Sequence, residues 1–319
     1  MKIDALYMSR EKQTEIRTIS IDPPTAGAIQ VKVAACGVCA WDSYLFRGRD
    51  LLEPFPVAFG HEAVGIVTAV GEGVIKFAEG DRVFCIENTL MPEMAQFINI
   101  PQERAGLLPY ISEDEFPYYV MEPAACVVSG MDLVPARPGD SMALVGAGYM
   151  GLLNVQLYHY SPVGKMVCFD IDERRLALAK KYGADEVYLS NTDEGKEALE
   201  RYADSMDLVV ECSGSQPGMD SAMSLVKQGG TVSNFAWHRG MRTVNGTPWH
   251  LKGVAIVNTS DGRNLHFTDE VDRTAALVRR GVFEQHELVT HIMPYQDAQK
   301  MFEIADVKAD GYIKGVITF

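Results

Sequence analysis

The sequence predicts an α/β protein of two domains: a doubly wound parallel sheet inserted into a mainly β domain that the C-terminal stretch returns to close. Three observations carry this. Residues 1–110 are strand-like and turn-rich, short apolar runs alternate with helical patterns from Ser141, and strand character returns after about residue 255. A chain of 319 residues is also long for a single core. The expected division is 1–123 with 257–319 for the β-rich domain and 124–256 for the parallel sheet.

Each element has its own warrant. Ile29-Gln30-Val31-Lys32-Val33 alternates with period two, as a half-buried strand does, and Ala63–Val70 and Arg82–Ile86 are set off by the GEG and EGD turns. From Ser141 the order is SMALV, a helix over about 150–160, KMVCFD, and a helix over about 173–182 that stops at Gly183. In the first of these helices Met150, Leu153 and Leu157 share a face. EVYLS, MDLVVECSG, GGTVSNF and AIVNT read as further short strands, followed by a helix over about 269–280 and a terminal strand, IKGVITF.

With 47% hydrophobic and 23% charged residues, the composition excludes a mainly disordered chain. The net charge of −14, without a Lys/Arg cluster longer than a pair, argues against nucleic acid and anionic membrane as partners. No apolar run approaches the ~18 residues of a spanning helix, and Met1–Arg10 has no signal-like apolar core, so a cytoplasmic protein is expected. Six cysteines are too few for a disulfide scaffold. Cys168 and Cys212 sit in apolar runs as small hydrophobes, which leaves Cys36 and Cys39, in a glycine-containing turn, as the pair that invites a chemical reading.

A dinucleotide site is expected at Gly146-Ala147-Gly148-Tyr149-Met150-Gly151. This G-x-G-x-x-G follows a strand and opens a helix. Asp170 ends the next strand, 19 positions past Gly151, near the spacing of ~20 for an acidic ribose ligand. Gly146 serves the tight turn, Gly148 the approach of a pyrophosphate, Gly151 the packing of helix on strand, and the helix N-terminus offers amide donors. A carboxylate at 170 accepts from a ribose diol and repels a 2′-phosphate, so NAD is favoured over NADP. Tyr149, Met150, Ile171 and Arg175 join the expected site, with Cys212 and Ser213 lining the crevice from the loop after a neighbouring strand.

Cys36-Gly37-Val38-Cys39-Ala40-Trp41-Asp42 and Gly60-His61-Glu62 together offer thiolate, imidazole and carboxylate, a donor set suited to zinc. With these residues the chain resembles the zinc-type medium-chain dehydrogenase/reductases, the alcohol and polyol dehydrogenase superfamily. The likeness runs almost end to end: CGVC-x-x-D, P-x-x-x-GHE-x-x-G-x-V over Pro56–Val67, VGEGVIKFAEGDRV over Val70–Val83, Glu122-Pro123, the glycine-rich turn, DLVVECSG, LVTH and IKGVI. It implies a Rossmann domain binding NAD and a GroES-like catalytic domain holding one catalytic zinc. Cys39 and His61 would be ligands with Glu62 or Glu122 supplying a carboxylate, Asp42 would orient His61, and Cys36 would have no ligand role. Glu122 stands where the ethanol-type branch has cysteine, as in the polyol branch.

Two departures from the family pattern matter. The segment from Phe84 to Phe97 has only about a dozen residues and one cysteine, Cys85, so the structural-zinc lobe is missing and no structural zinc is expected. That also puts the family's usual subunit geometry in doubt, although a homodimer or homotetramer is still expected. The second departure is at the proton relay: Trp41 replaces the hydroxyl and Tyr44 the histidine. An indole N–H only donates, so the proton needs another route, through Glu62, Glu122 or a zinc-bound water; Trp41 is then either a platform for a sugar or ring or simply pocket filling. The expected catalytic set is Cys39, His61, Glu62, Trp41 and Tyr44, acting on a secondary alcohol or its ketone, from a polyol, sugar or cyclic alcohol. The alternatives are a zinc-free carbonyl or alkene reductase of the same fold and a non-catalytic NAD-binding protein. His238, His250, His266, His286 and His291 carry no assigned role.

Overall fold

The computed structural model describes residues 1–49, 54–86, 90–259, 267–309 and 311–319; His266 lies outside them. The chain forms two compact units, Met1–Ala125 with His266–Phe319, and Cys126–Leu265. In chain order the first contains β1 (Lys2–Arg10), β2 (Gln13–Ser20), β3 (Ala28–Val38), α1 (Ala40–Phe46), β4 (Val57–Ala58), β5 (Ala63–Val70), β6 (Arg82–Cys85), β7 (Phe97–Pro101) and β8 (Ala105–Leu107). After α2 (Glu122–Leu133) come β9 (Ser141–Val145), α3 (Tyr149–His159), β10 (Lys165–Asp170), α4 (Glu173–Lys181), β11 (Glu186–Leu189) and α5 (Asp193–Arg201). The second unit continues with β12 (Met206–Glu211), α6 (Gln216–Leu225), β13 (Val226–Asn234), α7 (Gly246–Lys252) and β14 (Ala255–Asn258). The first unit resumes with α8 (Phe267–Arg279), β15 (Val289–Pro294), α9 (Ala298–Val307) and β16 (Lys314–Thr318).

The second unit is the expected doubly wound sheet. Its strand order is β11-β10-β9-β12-β13-β14 and its neighbours pair in parallel. The order reverses between β9 and β12, which makes the C-terminal ends of those strands the topological switch point where ligands of such sheets bind. Apolar runs such as Met142–Val145 and Val167–Phe169 are buried, as a sheet covered on both faces requires. α3 departs from the one-faced pattern, being buried from Gly151 through Tyr158. Its polar residues tolerate this where they find local partners: Asn154 donates to the Met150 carbonyl at 2.9 Å, and the Tyr158 hydroxyl to that of Val134 at 3.3 Å.

The first unit has two sheets. One runs β2-β1-β4, the other β15-β16-β3-β5-β6-β8 with β7 also on β3. β16 lies antiparallel to β3, Val316 opposite Gly37 and Gly315 opposite Val38, so the last strand closes on the cysteine-bearing one as the sequence implies. α9 locks this arrangement. Phe302, fully buried, stacks on Phe46 of α1 at 5.5 Å and meets Phe59 edge-on at 5.4 Å. One side chain from the C-terminal stretch thus braces both the helix that follows Cys39 and the segment that leads into Gly60-His61-Glu62. Truncating such a phenylalanine costs about 3–5 kcal/mol.

Candidate active site

Cys36 and Cys39 do not share a turn. Cys36 lies within β3, buried in the first unit's core, whereas Cys39 is the N-cap of α1. Burial, then the charges of Glu93, Asp42 and Glu62, push the Cys36 thiol well above its ordinary pKa, which keeps it protonated and a poor ligand. Cys39 is half-exposed and accepts a weak contact from the Trp41 N–H at 3.5 Å. Asp42 and His61 lie close enough for their charges to act on each other, and Asp42 also has a local task. Its Oδ2 accepts from the Cys39 backbone N–H at 2.9 Å, completing a capping box. It therefore fixes the cysteine's backbone. Oδ1 remains buried without a hydrogen-bond partner.

Gly60 lies at φ +97, and a Cβ there would come within 2.8 Å of the Met94 backbone N. The segment around Met94, between β6 and β7, therefore packs directly on the Gly-His-Glu turn. Glu93, 0% exposed, accepts from Ala63 N–H at 2.7 Å, while the N–H groups of Glu93 and Met94 donate to the Gly60 and Phe59 carbonyls. Residues 87–89 of that segment lie outside the described residues.

Cys39, His61 and Glu62 bring one donor atom each to within 4.8 Å of one another, the one such grouping among the described residues. Glu122 is not part of it. It begins α2, largely buried, and its charge reaches His61. Burial alone would depress the His61 pKa, but the Cys39 sulfur and the charges of Asp42 and Glu122 outweigh it and hold the imidazole well above its ordinary value. The site concentrates negative charge on soft, borderline and hard donors, and the buried Asp42 Oδ1, whose charge acts on His61, has no hydrogen-bond partner. Those features fit a divalent zinc.

Lys314 was not foreseen. Its Nζ, on a side chain 4% exposed, lies 2.5 Å from Glu62 Oε2 in an ion pair whose angle is not that of a hydrogen bond, and also donates to the Val38 carbonyl at 3.2 Å. Gly37 makes room, since a Cβ there would overlap the same Glu62 oxygen. Trp41 is half-buried against the core cluster around Leu45 and Phe46. The Tyr44 ring lies beneath the Arg47 guanidinium, 5.5 Å from its centroid.

In the second unit the glycines divide their work. Gly146 has φ +99, and a Cβ on Gly151 would collide with the Gly146 carbonyl. At Gly148 a Cβ would meet nothing within 4 Å, so that space serves no packing within the protein. Gly148 is also the N-cap of α3 and provides no side-chain cap, which leaves first-turn amides for an anion. These features fit a dinucleotide pyrophosphate. The Asp170 carboxylate already accepts from the N–H groups of Ala147, Ile171 and Asp172 at 2.5, 2.8 and 2.8 Å. With about four lone-pair sites on a carboxylate, it has capacity for about one ribose hydroxyl rather than two. Ile171 is 70% exposed, and Arg175 turns towards Asp172 at 3.9 Å. Cys212 N–H donates to the Val145 carbonyl, and Asn154 reaches its sulfur at 3.8 Å.

Residues 25–105 match the family model of the alcohol dehydrogenase GroES-like domain, and residues 150–277 that of the zinc-binding dehydrogenase. The chain belongs to the medium-chain dehydrogenase/reductase family. Among its relatives, the zinc-type alcohol dehydrogenase-like protein YdjJ of Escherichia coli is 27% identical, with 95% of each chain covered. A sorbitol dehydrogenase of Arabidopsis thaliana is 27% identical over 86% of this chain and 88% of its own. An Escherichia coli alcohol dehydrogenase solved with NADH superposes with a TM-score of 0.85 at 21% identity, covering 100% of this chain and 99% of its own. At that identity the likeness establishes the fold. No helix among the described residues is long and apolar enough to cross a membrane.

For a medium-chain dehydrogenase/reductase, the sequence reading missed the two buried charges that hold the Gly-His-Glu turn. Lys314 lies 252 positions from Glu62, and Glu93 sits in a segment that carries no motif. The closing IKGVI was the one available signal for Lys314, because a lysine inside an otherwise apolar strand needs a partner.

Proposed function

We propose that this protein is an NAD-dependent zinc dehydrogenase that oxidises a secondary alcohol, in a polyol, sugar or cyclic alcohol, and reduces the corresponding ketone in reverse. The observation that carries the proposal is the convergence of Cys39, His61 and Glu62 in one unit, in a family whose other unit ends its first strand in an open glycine turn. Zinc, when bound, supplies a Lewis acid for the substrate oxygen, and the nicotinamide accepts the hydride.

The chain's own residues do the rest. Cys39 and His61 would hold the metal, and Glu62 would supply the carboxylate with Lys314 behind it. The protonated Cys36 stays out of the set. Asp42 holds Cys39 in place through the cap of α1, and Phe302 braces both ligand-bearing segments. Gly148 and the first-turn amides of α3 hold the pyrophosphate locally, against a chain of net charge −14. Asp170 accepts from the ribose, which disfavours a 2′-phosphate and supports NAD. With an indole at position 41 and Tyr44 under Arg47, the substrate's proton leaves by way of the site carboxylates, Glu62 or Glu122. A polyol or sugar is supported by Glu122 and by the sorbitol dehydrogenase relative. A homodimer or homotetramer is proposed as well.

The test is a screen of polyols, sugars and cyclic alcohols with NAD on zinc-quantified protein, read by the absorbance of reduced nicotinamide. Turnover that requires zinc and is lost in Cys39→Ser supports the proposal. Zinc-free protein with activity unchanged in Cys39→Ser refutes it.

A further inference from the structure

Glu211 ends β12 wholly buried, beside the switch point between β9 and β12. Its carboxylate gathers donors from two loops. From the loop after β12, Ser213 donates through its backbone N–H at 2.9 Å and through its hydroxyl, and Gly214 N–H donates at 3.3 Å. From the loop after β13, His238 Nε2 lies 2.6 Å from Oε2, off the straight hydrogen-bond line. The other ring nitrogen of His238 accepts from Arg242 Nε at 3.1 Å. The same guanidinium donates to the Gly214 carbonyl at 2.6 Å and to that of Met241 at 2.9 Å. A closed ring results: Gly214, Glu211, His238, Arg242 and back to Gly214. Backbone bonds reinforce it, since the Phe235 and Ala236 N–H groups donate to the Glu211 carbonyl at 3.1 and 2.9 Å.

The Glu211 carboxylate and the Arg242 guanidinium, both members of the ring, are of opposite charge. The ring also touches a third loop. A Cβ on Gly146 would sit 2.6 Å from Ser213 N and 2.8 Å from its Cα, so Ser213 rests directly against the first residue of the glycine turn. The ring therefore joins the loops after β9, β12 and β13, three adjacent strands, at the end of the sheet where ligands bind. Polar contacts that link three loops restrain their relative motion, and a loop ordered beforehand does not have to be ordered on binding.

We propose that Glu211, His238 and Arg242 are positioning residues for the dinucleotide: their ring holds these loops in binding geometry before the cofactor arrives. The inference rests on the dinucleotide reading of the preceding subsection. It is tested by fluorescence titration of NADH and NADPH into the full-length wild type, His238→Gln, His238→Leu and Arg242→Met. Each protein is also digested with trypsin without cofactor, to follow cleavage after Arg239. In His238→Leu and Arg242→Met the NADH dissociation constant rises by about tenfold and cleavage after Arg239 accelerates. His238→Gln, whose amide keeps a polar group between Glu211 and Arg242, stays within about threefold of wild type. If His238→Leu does not fold, Arg242→Met carries the test, because its side chain lies at the outer end of the ring. Wild-type affinity and wild-type cleavage in Arg242→Met, or His238→Gln as weak as His238→Leu, overturn the proposal alone. A wild type that binds neither nucleotide overturns the dinucleotide reading and the proposal with it.

Discussion

Replacing Lys314 with methionine keeps most of the side chain's volume and removes its charge. Glu62, 2% exposed, then loses the ammonium 2.5 Å away. Breaking one side of a buried pair costs about 3–5 kcal/mol, because the remaining charge is desolvated without compensation. In a unit of this size each kcal/mol moves the midpoint by ~2–4 °C, so metal-free Lys314→Met melts about 10 °C below metal-free wild type. Two controls isolate the cause. Lys314→Met/Glu62→Gln recovers much of the loss, since no unpaired charge remains, and saturating zinc raises the midpoint of Lys314→Met more than that of wild type, because a bound dication replaces the missing ammonium. The assay is thermal unfolding by circular dichroism in chelator and in zinc. A metal-free midpoint within 1–2 °C of wild type, equivalent to under ~1 kcal/mol, would refute the reasoning.

Three further predictions use other parts of the molecule. Gly148→Val, facing open space, melts as wild type but binds NADH at least about tenfold more weakly by fluorescence titration, whereas Gly151→Val, which collides with the Gly146 carbonyl, lowers the melting temperature itself. Lys165, Tyr188 and Tyr202 hold the Glu186 pKa down at about 2. The stability this adds is present above the ordinary carboxylate range and fades as pH falls towards that value, so the melting difference between wild type and Glu186→Gln, small because the group is partly exposed, shrinks from pH 7 to pH 3. The homodimer or homotetramer proposed above is checked by light scattering, which gives a dimer or tetramer; a 35.2 kDa monomer contradicts it.

The parallel sheet was legible because each of its elements is a local pattern. Apolar runs, a glycine turn and strand–helix alternation fix β9 to β14, and P-x-x-x-GHE with CGVC identifies the ligand-bearing segments. What escaped was whatever depends on distant partners or very short elements. α1 is a seven-residue helix, too short for periodicity, and its start is a capping box with cysteine in place of the usual hydroxyl or carboxylate residue. The hold of Asp42 on Cys39 through this cap was therefore not legible beside its expected role at His61. α3 hides its polar residues through bonds that no hydropathy pattern reveals. The Glu62–Lys314 pair and the ring of Glu211, His238 and Arg242 are made by tertiary closure: their members sit on separate strands or loops and carry no motif spacing.

The proposed catalytic zinc, held by Cys39, His61 and a carboxylate, is tested most directly by measuring zinc content and NADH formation from a polyol panel on the same preparations of wild type, Cys39→Ser and Cys36→Ala. The account predicts about one zinc per chain with turnover in wild type and Cys36→Ala, and loss of both in folded Cys39→Ser. Turnover in zinc-free protein, or equal zinc and activity in Cys39→Ser, would contradict it.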